Sequence, residues 1–598
     1  MRLRKNAARV LASIGFVVLL LIVGVGVVGC FFWPPSKTIA NKVVLEIDFS
    51  RGFQEVAPSE SVLGLLGPKK LSVTDTVLAL RKASEDRRVL GLVARVGSGL
   101  QGLATVQELR GAVLSFRGEG KPAVAYSETF GEFGPGNNAY YLATAFDEVY
   151  LQPSGDLGLT GLIVETPFIK ETLTKIGVSP ALGRRCEYKS AVNTFTETGY
   201  TEAQEVALKA VVESDFGQIV QGIAKSRGLS GDKVRKLFDQ GPFLSGEALS
   251  EKLVDGLLYR DGVYDLVRQK TDRSAVFLPI EDYWGKEGQK EPEEPVVAVI
   301  YGEGLIHLGK SGFSRLFGSV SMGSDTVAKA FRAAAEDERV KAVLFRVDSP
   351  GGSYVASDTI WREVLLTREG GKPVVVSMGD VAASGGYFVS VAASKIVAQP
   401  STLTGSIGVF AGKAVTRDFW NKLGVTWDEI HTSDHSTLWS SLDDFTPADW
   451  KILQKWLDHV YEDFTNKVSE SRGLALNKVQ EAAKGRVWTG EQAKSLGLVD
   501  ELGGFPDALG IAKGLAGIPA GTEVRLEVFP KEKTLVQLIV ERLTGRGGEE
   551  SSREDRSLEL LASTARTIER LYRMAAAAGW LPGQEGLSAL EAPLPCDR

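Results

Sequence analysis

The strongest constraint in this chain is an internal duplication, because a fold that occurs twice in one sequence must be small enough to fit each copy. Residues 88–96 read RVLGLVARV, and residues 339–347, 251 positions later, read RVKAVLFRV. Each run is apolar and β-branched and follows a helix-periodic stretch, TDTVLALRKASED in one copy and SDTVAKAFRAAAEDE in the other. The same offset relates Lys121-Pro122-Ala123-Val124 to Lys372-Pro373-Val374-Val375. Further on the offset becomes 247: Ala139-Tyr140-Tyr141 matches Gly386-Tyr387-Phe388, and Gln152-Pro153-Ser154 matches Gln399-Pro400-Ser401. The first copy therefore carries four extra residues, which the Gly-rich stretch 129–136 accommodates. Later still, FLSGEALSEKLVDGL (243–257) parallels VWTGEQAKSLGLVDEL (487–502), each after a long amphipathic region. Two unrelated domains would not keep order and spacing in this way.

Each copy alternates short β-rich runs with helical stretches, which predicts α/β units with parallel strands. Residues 43–49 and 296–301 open the two sheets, and 283–294, rich in Glu, Lys and Pro, reads as the linker. The expected division is 1–36, 37–290, 291–545 and 546–598. In the last of these, TGRGGEESSREDR is a solvated spacer and residues 558–578 read as one amphipathic helix. Residues 10–33 are almost wholly apolar. As a helix they would span roughly 36 Å at 1.5 Å per residue, enough for a bilayer core of about 30 Å. Arg2, Arg4, Lys5 and Arg9 precede this segment and Pro34-Pro35 stop it. The basic end then stays in the cytoplasm and the body is exported. A cleaved signal peptide, or a lipoprotein signal ending in Val27-Val28-Gly29-Cys30, would also export it.

Net charge and residue usage exclude other classes. A formal charge of −6, with no Lys/Arg-rich stretch in the body, argues against a nucleic-acid partner. Cys30, Cys186 and Cys596 form no disulfide framework and are read as free thiols, although a Cys186–Cys596 bridge is open. The four histidines, His307, His431, His435 and His459, form no HExxH, and there is no CxxC pair, so no metal or cofactor is expected.

The chemistry concentrates in the second copy. There a strand VLFRV runs into Asp348-Ser349-Pro350-Gly351-Gly352-Ser353. Paired glycines after a strand leave backbone N–H groups bare, as an oxyanion hole requires. The following strand leads to Ala382-Ala383-Ser384-Gly385-Gly386-Tyr387. Ser384 at a strand-to-helix junction is either an exposed nucleophile, with Gly385 N–H beside the reacting carbonyl, or a helix N-cap. The duplication separates these readings. The first copy has Asn137 where the second has Ser384, Gly97-Ser98-Gly99 in place of Asp348-Ser349-Pro350, and Leu159 in place of Ser406. A frame kept while its possible chemistry is removed points to one reactive copy. No histidine lies between Ser384 and His431, which disfavours a Ser-His-Asp triad.

Taken together, SPGGS, AASGGYF and PSTLTGSIGV, in that order and spacing, resemble peptidase family S49, the signal peptide peptidase A type, in its long tandem-repeat form. The resemblance covers the chain from Val10 to about Leu543. It implies two Clp-protease/crotonase-like domains and a Ser–Lys dyad whose lysine comes from the first repeat in a Tyr-Lys-Ser-Ala context. Here that context is Glu187-Tyr188-Lys189-Ser190-Ala191, and the matching position of the second copy is Ser436. The family pattern makes Ser384 the nucleophile and Lys189 the general base. It also makes Ser406 the residue that orients the lysine, and Gly385, Gly351 and Gly352 the source of oxyanion donors. A free lysine has a pKa of about 10.4 and must fall to about 7–8 to act as a base. Burial among apolar groups, away from any carboxylate, would achieve this, so Glu187 is expected to pair elsewhere. The resemblance further implies an endopeptidase of the bacterial cytoplasmic membrane. The single span and exported body read from residues 10–33 fit that likeness, which also implies signal-peptide substrates and a ring of commonly four copies. The competing readings are an acyl-CoA enzyme on the same fold and an inactive membrane scaffold.

Overall fold

The computed structural model describes residues 39–55, 71–97, 102–288, 292, 295–314 and 319–531. The apolar segment 10–33, Cys30, Ser98-Gly99, the 546–598 tail and Cys596 lie outside these residues. Among the described residues no helix is long and apolar enough to cross a membrane.

The first repeat contains β1 (Val43–Asp48), α1 (Val73–Glu85), β2 (Val89–Arg95), α2 (Leu103–Gly118), β3 (Ala123–Ser127), α3 (Asn137–Ala143) and β4 (Glu148–Leu151). It continues with β5 (Ser179–Arg184), α4 (Glu202–Arg227), β6 (Gly256–Leu257), β7 (Val276–Pro279) and α5 (Ile280–Glu287). Its sheet has the order β6-β4-β3-β2-β1-β7, and every neighbouring pair is parallel. The second repeat opens with β8 (Val296–Glu303), α6 (Ser324–Glu336), β9 (Val340–Ser349), α7 (Tyr354–Glu369) and β10 (Val374–Ala383). After these come α8 (Gly385–Ser390), β11 (Lys395–Ala398), β12 (Leu403–Gly405), β13 (Phe410–Val415) and α9 (Pro447–Arg472). β14 (Val487–Trp488), β15 (Glu501–Leu502) and β16 (Arg525–Phe529) complete it. Its sheet order is β14-β12-β10-β9-β8-β16, with β11 on β10 and β15 on β11. Only β12–β14 is antiparallel. Helices on both faces explain the continuous apolar runs: the first five residues of β8, VVAVI, are all buried.

The duplication reaches single hydrogen bonds. The β1–β2 register slips between Val43 and Val44, and β8–β9 slips between Val296 and Val297. Lys121 Nζ donates to the carbonyls of Ala83 and Asp86, and Lys372 Nζ to those of Ala334 and Asp337. Buried Tyr140 and Tyr387 donate to Leu253 O and Leu498 O at 2.6 and 2.8 Å. The four extra residues lie where expected. β3 stops at Ser127 and the chain loops before α3, whereas β10 continues to Ala383.

The linker expectation needs correction, because 283–287 belong to α5 rather than to a spacer. Ile280, Tyr283 and Glu287 recur on one helical face and are buried, with Tyr283 Oη donating to Asp86. The charged residues that suggested a linker include those on the helix's other face.

The repeats are joined by polar and strand contacts. β5 of the first pairs antiparallel with β13 of the second, from Phe410↔Arg184 to Val415↔Ser179. Arg346 on β9 is 1% exposed and donates to Glu55 (2.8 Å) and Glu108 (2.9 Å) of the first repeat. Burial opposes its charge, but the two carboxylates hold the guanidinium protonated well above its ordinary range. Thr105 N–H and Oγ1 donate to Asp380 on β10, both at 2.8 Å.

Candidate active site

β10 carries the chain through the second sheet and ends at Ala383, one residue before Ser384. Ser384 adopts φ 55°, ψ −118°, and α8 begins at Gly385. For a residue with a side chain this conformation costs of order 1–3 kcal/mol, and such strain gathers at functional sites. Surrounding bonds hold it: Ser384 N–H donates to Gly405 O (2.8 Å), and Ser384 O accepts from Phe388 N–H (2.9 Å). Its hydroxyl caps nothing in α8, which removes the N-cap reading.

Lys189 arrives from the first repeat on the turn between β5 and a short 3₁₀ segment, Ser190–Val192. It is 3% exposed. Its Nζ lies 3.0 Å from Ser384 Oγ, 2.9 Å from Ser406 Oγ and 2.9 Å from Ser406 O. Desolvation alone draws the amine down to about 7. The Glu187 carboxylate turns away as expected, 3.6 Å from Lys484 Nζ in an exposed pair. Lys189 does not lie in a strand, so the two side chains need not share a face.

The contacts suit a neutral amine, which has two N–H groups and one lone pair. Ser406 O can only accept, and Ser406 Oγ can take the second N–H. The lone pair is then left facing the Ser384 hydroxyl. Ser406 itself sits at φ 51°, and its N–H donates to Arg486 O.

The three glycines converge on Ser384. Gly351 has φ 103°, and a Cβ there would lie 2.6 Å from Gly385 N and 2.9 Å from Ser384 Cβ, so only glycine fits. A Cβ on Gly385 would lie 3.1 Å from Gly352 N. The donor assignment is narrower than expected, because Gly351 N–H already donates to Ser349 Oγ at 3.2 Å. Among the described residues, Gly352 N–H and Gly385 N–H donate to no carbonyl and are left for a ligand oxygen. Sequence reasoning missed Ser349. Its place beside the paired glycines was visible, but not that its Oγ would bond Gly304 O and take up a neighbouring N–H.

The matching positions of the first repeat are closed. Asn137 is buried, donates to Gly161 O (2.6 Å) and accepts from Thr160 N–H (3.1 Å) and Gly161 N–H (3.3 Å). Leu159 is fully buried. Ser436, opposite number of Lys189, lies in an exposed turn bonded to Ser433.

Comparison with known proteins agrees with the paired geometry. The family description "Peptidase family S49" matches residues 115–273 and 367–518, one stretch in each repeat. Protease 4 of Salmonella typhi is 31% identical over 89% of this chain and 87% of its own length. Protease 4 of Haemophilus influenzae is 32% identical over 77% of this chain and 75% of its own. The chloroplastic serine protease SPPA of Arabidopsis thaliana is 31% identical over 76% of this chain and 67% of its own. A solved mutant of ClpP1 from Listeria monocytogenes is similar at 15% identity, over 35% of this chain and 94% of that one. The TM-score of that match is 0.23. The duplicated α/β frame and these relatives define the molecule as a serine peptidase. More particularly, the chain belongs to peptidase family S49.

Proposed function

We propose that the chain is a membrane-anchored endopeptidase that uses Ser384 as nucleophile and Lys189 as general base. The observation that carries this reading is the buried Lys189 Nζ, 3.0 Å from Ser384 Oγ and drawn down to about 7 without a carboxylate neighbour. Neutral Lys189 takes the Ser384 proton as Oγ attacks the scissile carbonyl. The oxyanion accepts from Gly352 N–H and Gly385 N–H. Collapse breaks the C–N bond, and the Lys189 ammonium returns its proton to the leaving amine. Water then attacks the acyl-enzyme with Lys189 again as base, releasing the acid and free Ser384. Ser406 keeps the amine's lone pair on the reaction.

Signal peptides left in the membrane after export are the substrates in this reading, with residues 10–33 as the anchor beside them. The Clp-protease/crotonase-like assignment of each repeat belongs to the same proposal. So do the cytoplasmic N-terminus, the exported body and a ring of four copies. The test is hydrolysis of a signal-peptide substrate by the full chain in detergent, against Ser384→Ala and Lys189→Ala. Each variant is expected to lose at least about a thousandfold in kcat. Equal activity in all three proteins, or none in any, contradicts the dyad and favours a scaffold or other acyl chemistry.

A further inference from the structure

The Lys189 amine is held from the second repeat by a turn that the chemistry above does not use. Residues 484–486 connect the helix Leu476–Ala482 to β14 and bond in succession to the backbone beside Lys189 and at Ser406. Lys484 O accepts from Tyr188 N–H at 3.2 Å, Gly485 N–H donates to Ile407 O at 2.8 Å, and Arg486 O accepts from Ser406 N–H at 2.8 Å. The Arg486 guanidinium lies 5.2 Å from the Tyr188 ring centroid and 4.1 Å from that of Trp488, which clamps the turn from outside.

At its centre Gly485 has φ 78°, and a Cβ there would lie 2.6 Å from Lys189 N and 2.7 Å from its Cα and Cβ. Those are backbone and stem atoms, which cannot swing aside as a flexible side-chain end can. Gly408 borders the same gap, where a Cβ would lie 3.0 Å from Gly485 Cα and 3.4 Å from Lys189 Cδ. The first repeat has a glycine at the matching position, Gly241, but in an extended conformation with φ −65°. A Cβ there would instead strike Leu159 O at 2.1 Å. Of the two matching glycines only Gly485 makes a left-handed turn, and there a lysine of the first repeat covers it.

We propose that Gly485 is a positioning residue for the dyad. Its missing side chain lets the first-repeat backbone at Lys189 close onto the Ser406 turn, and so sets the reach of Nζ to Ser384. This rests on Lys189 acting as the base.

The test measures kcat and KM for peptide hydrolysis across pH, using full-length Gly485→Ala, Gly408→Ala and Lys189→Ala. Gly510→Ala, where a Cβ meets nothing within 4 Å, is the control. Because misplacement by about 1 Å can cost about a hundredfold, Gly485→Ala is expected to lose on the order of a hundredfold in kcat with KM little changed. Gly408→Ala, a milder push on the same turn, is expected to lose roughly three- to tenfold. In both, the pH of half-maximal rate moves upward, since a displaced amine is better solvated and holds its proton more tightly. A purely structural defect would lower the melting temperature without moving that pH. If Gly485→Ala does not fold, Gly408→Ala decides alone. The positioning role is overturned if the folded glycine variants keep wild-type kcat and pH midpoint, or change only KM, while Lys189→Ala is inactive. Wild-type activity in Lys189→Ala would overturn the dyad itself, a separable result.

Discussion

The two repeats share strand order, a register slip, a lysine that bridges two carbonyls and a buried tyrosine bond, yet they differ at each position where chemistry needs a free group. In the second repeat Ser384 is strained, uncapped and faced by two unpaired N–H groups. In the first, Asn137 fills the same place and uses its amide to tie down residues 160 and 161. The lysine is divided the other way, supplied by the first repeat and absent from the second. The contrast teaches that stability and reactivity are separable in this fold. A closed copy satisfies its polar groups, and an open copy leaves strain and unpaired donors in place for a substrate.

The largest effect that can break this contrast is on activity. Ser384→Ala is expected to abolish turnover and fluorophosphonate labelling. Asn137→Ala should leave kcat within about threefold and act on stability instead, by about 1–3 kcal/mol for three lost hydrogen bonds in a buried site. Comparable activity losses in the two variants would show that both copies react.

Next comes the seam. Arg346 and its counterpart Arg95 occupy matching strand positions, but Arg95 is 39% exposed in its pairs with Glu128 and Asp48. Arg346→Met leaves Glu55 and Glu108 buried without their cation and is expected to cost about 3–5 kcal/mol in denaturant unfolding. Arg95→Met should cost less than about 1 kcal/mol. Equal costs would deny the seam its role in joining the repeats.

Smaller still, Ser406→Ala removes one of the two acceptors that aim the Lys189 lone pair while Ser406 O remains. A loss of about 10- to 100-fold in kcat is expected, comparable to 1.4–2.7 kcal/mol of transition-state stabilisation. Leu159→Ser in the first repeat should not raise activity. A gain there would mean the first copy is closer to reactive than its hydrogen bonds indicate.

Much of this was legible in the sequence because the duplication supplied an internal reference. The α/β alternation, the junction at Ser384 and the extra loop before Asn137 followed from residue order, and the outward pairing of Glu187 from the demand that a lysine base lack a carboxylate neighbour. Other features depended on contacts between residues far apart. The pairing of 179–184 with 410–415 joins segments some 230 positions apart, and no local periodicity encodes such a register. The loss of Gly351 as an oxyanion donor turned on one serine rotamer. The α5 helix was hidden by composition, since its charged residues read as a spacer while Ile280 and Tyr283 anchor it to the core. Gly485 gave no signal of its own, being one of 66 glycines until the lysine of the other repeat was placed against it.

The division of the site is tested most directly by the pH dependence of kcat/KM in wild type and in Lys189→Ala. In the proposed mechanism Lys189 acts as a base only when neutral, so its lowered pKa sets the pH at which the rate rises. Wild-type activity should climb with pH, be half-maximal near pH 7 and level off above it. In Lys189→Ala the residual rate should show no such midpoint. A midpoint near pH 7 that persists in Lys189→Ala would assign the titration to another group and contradict a base supplied by the first repeat.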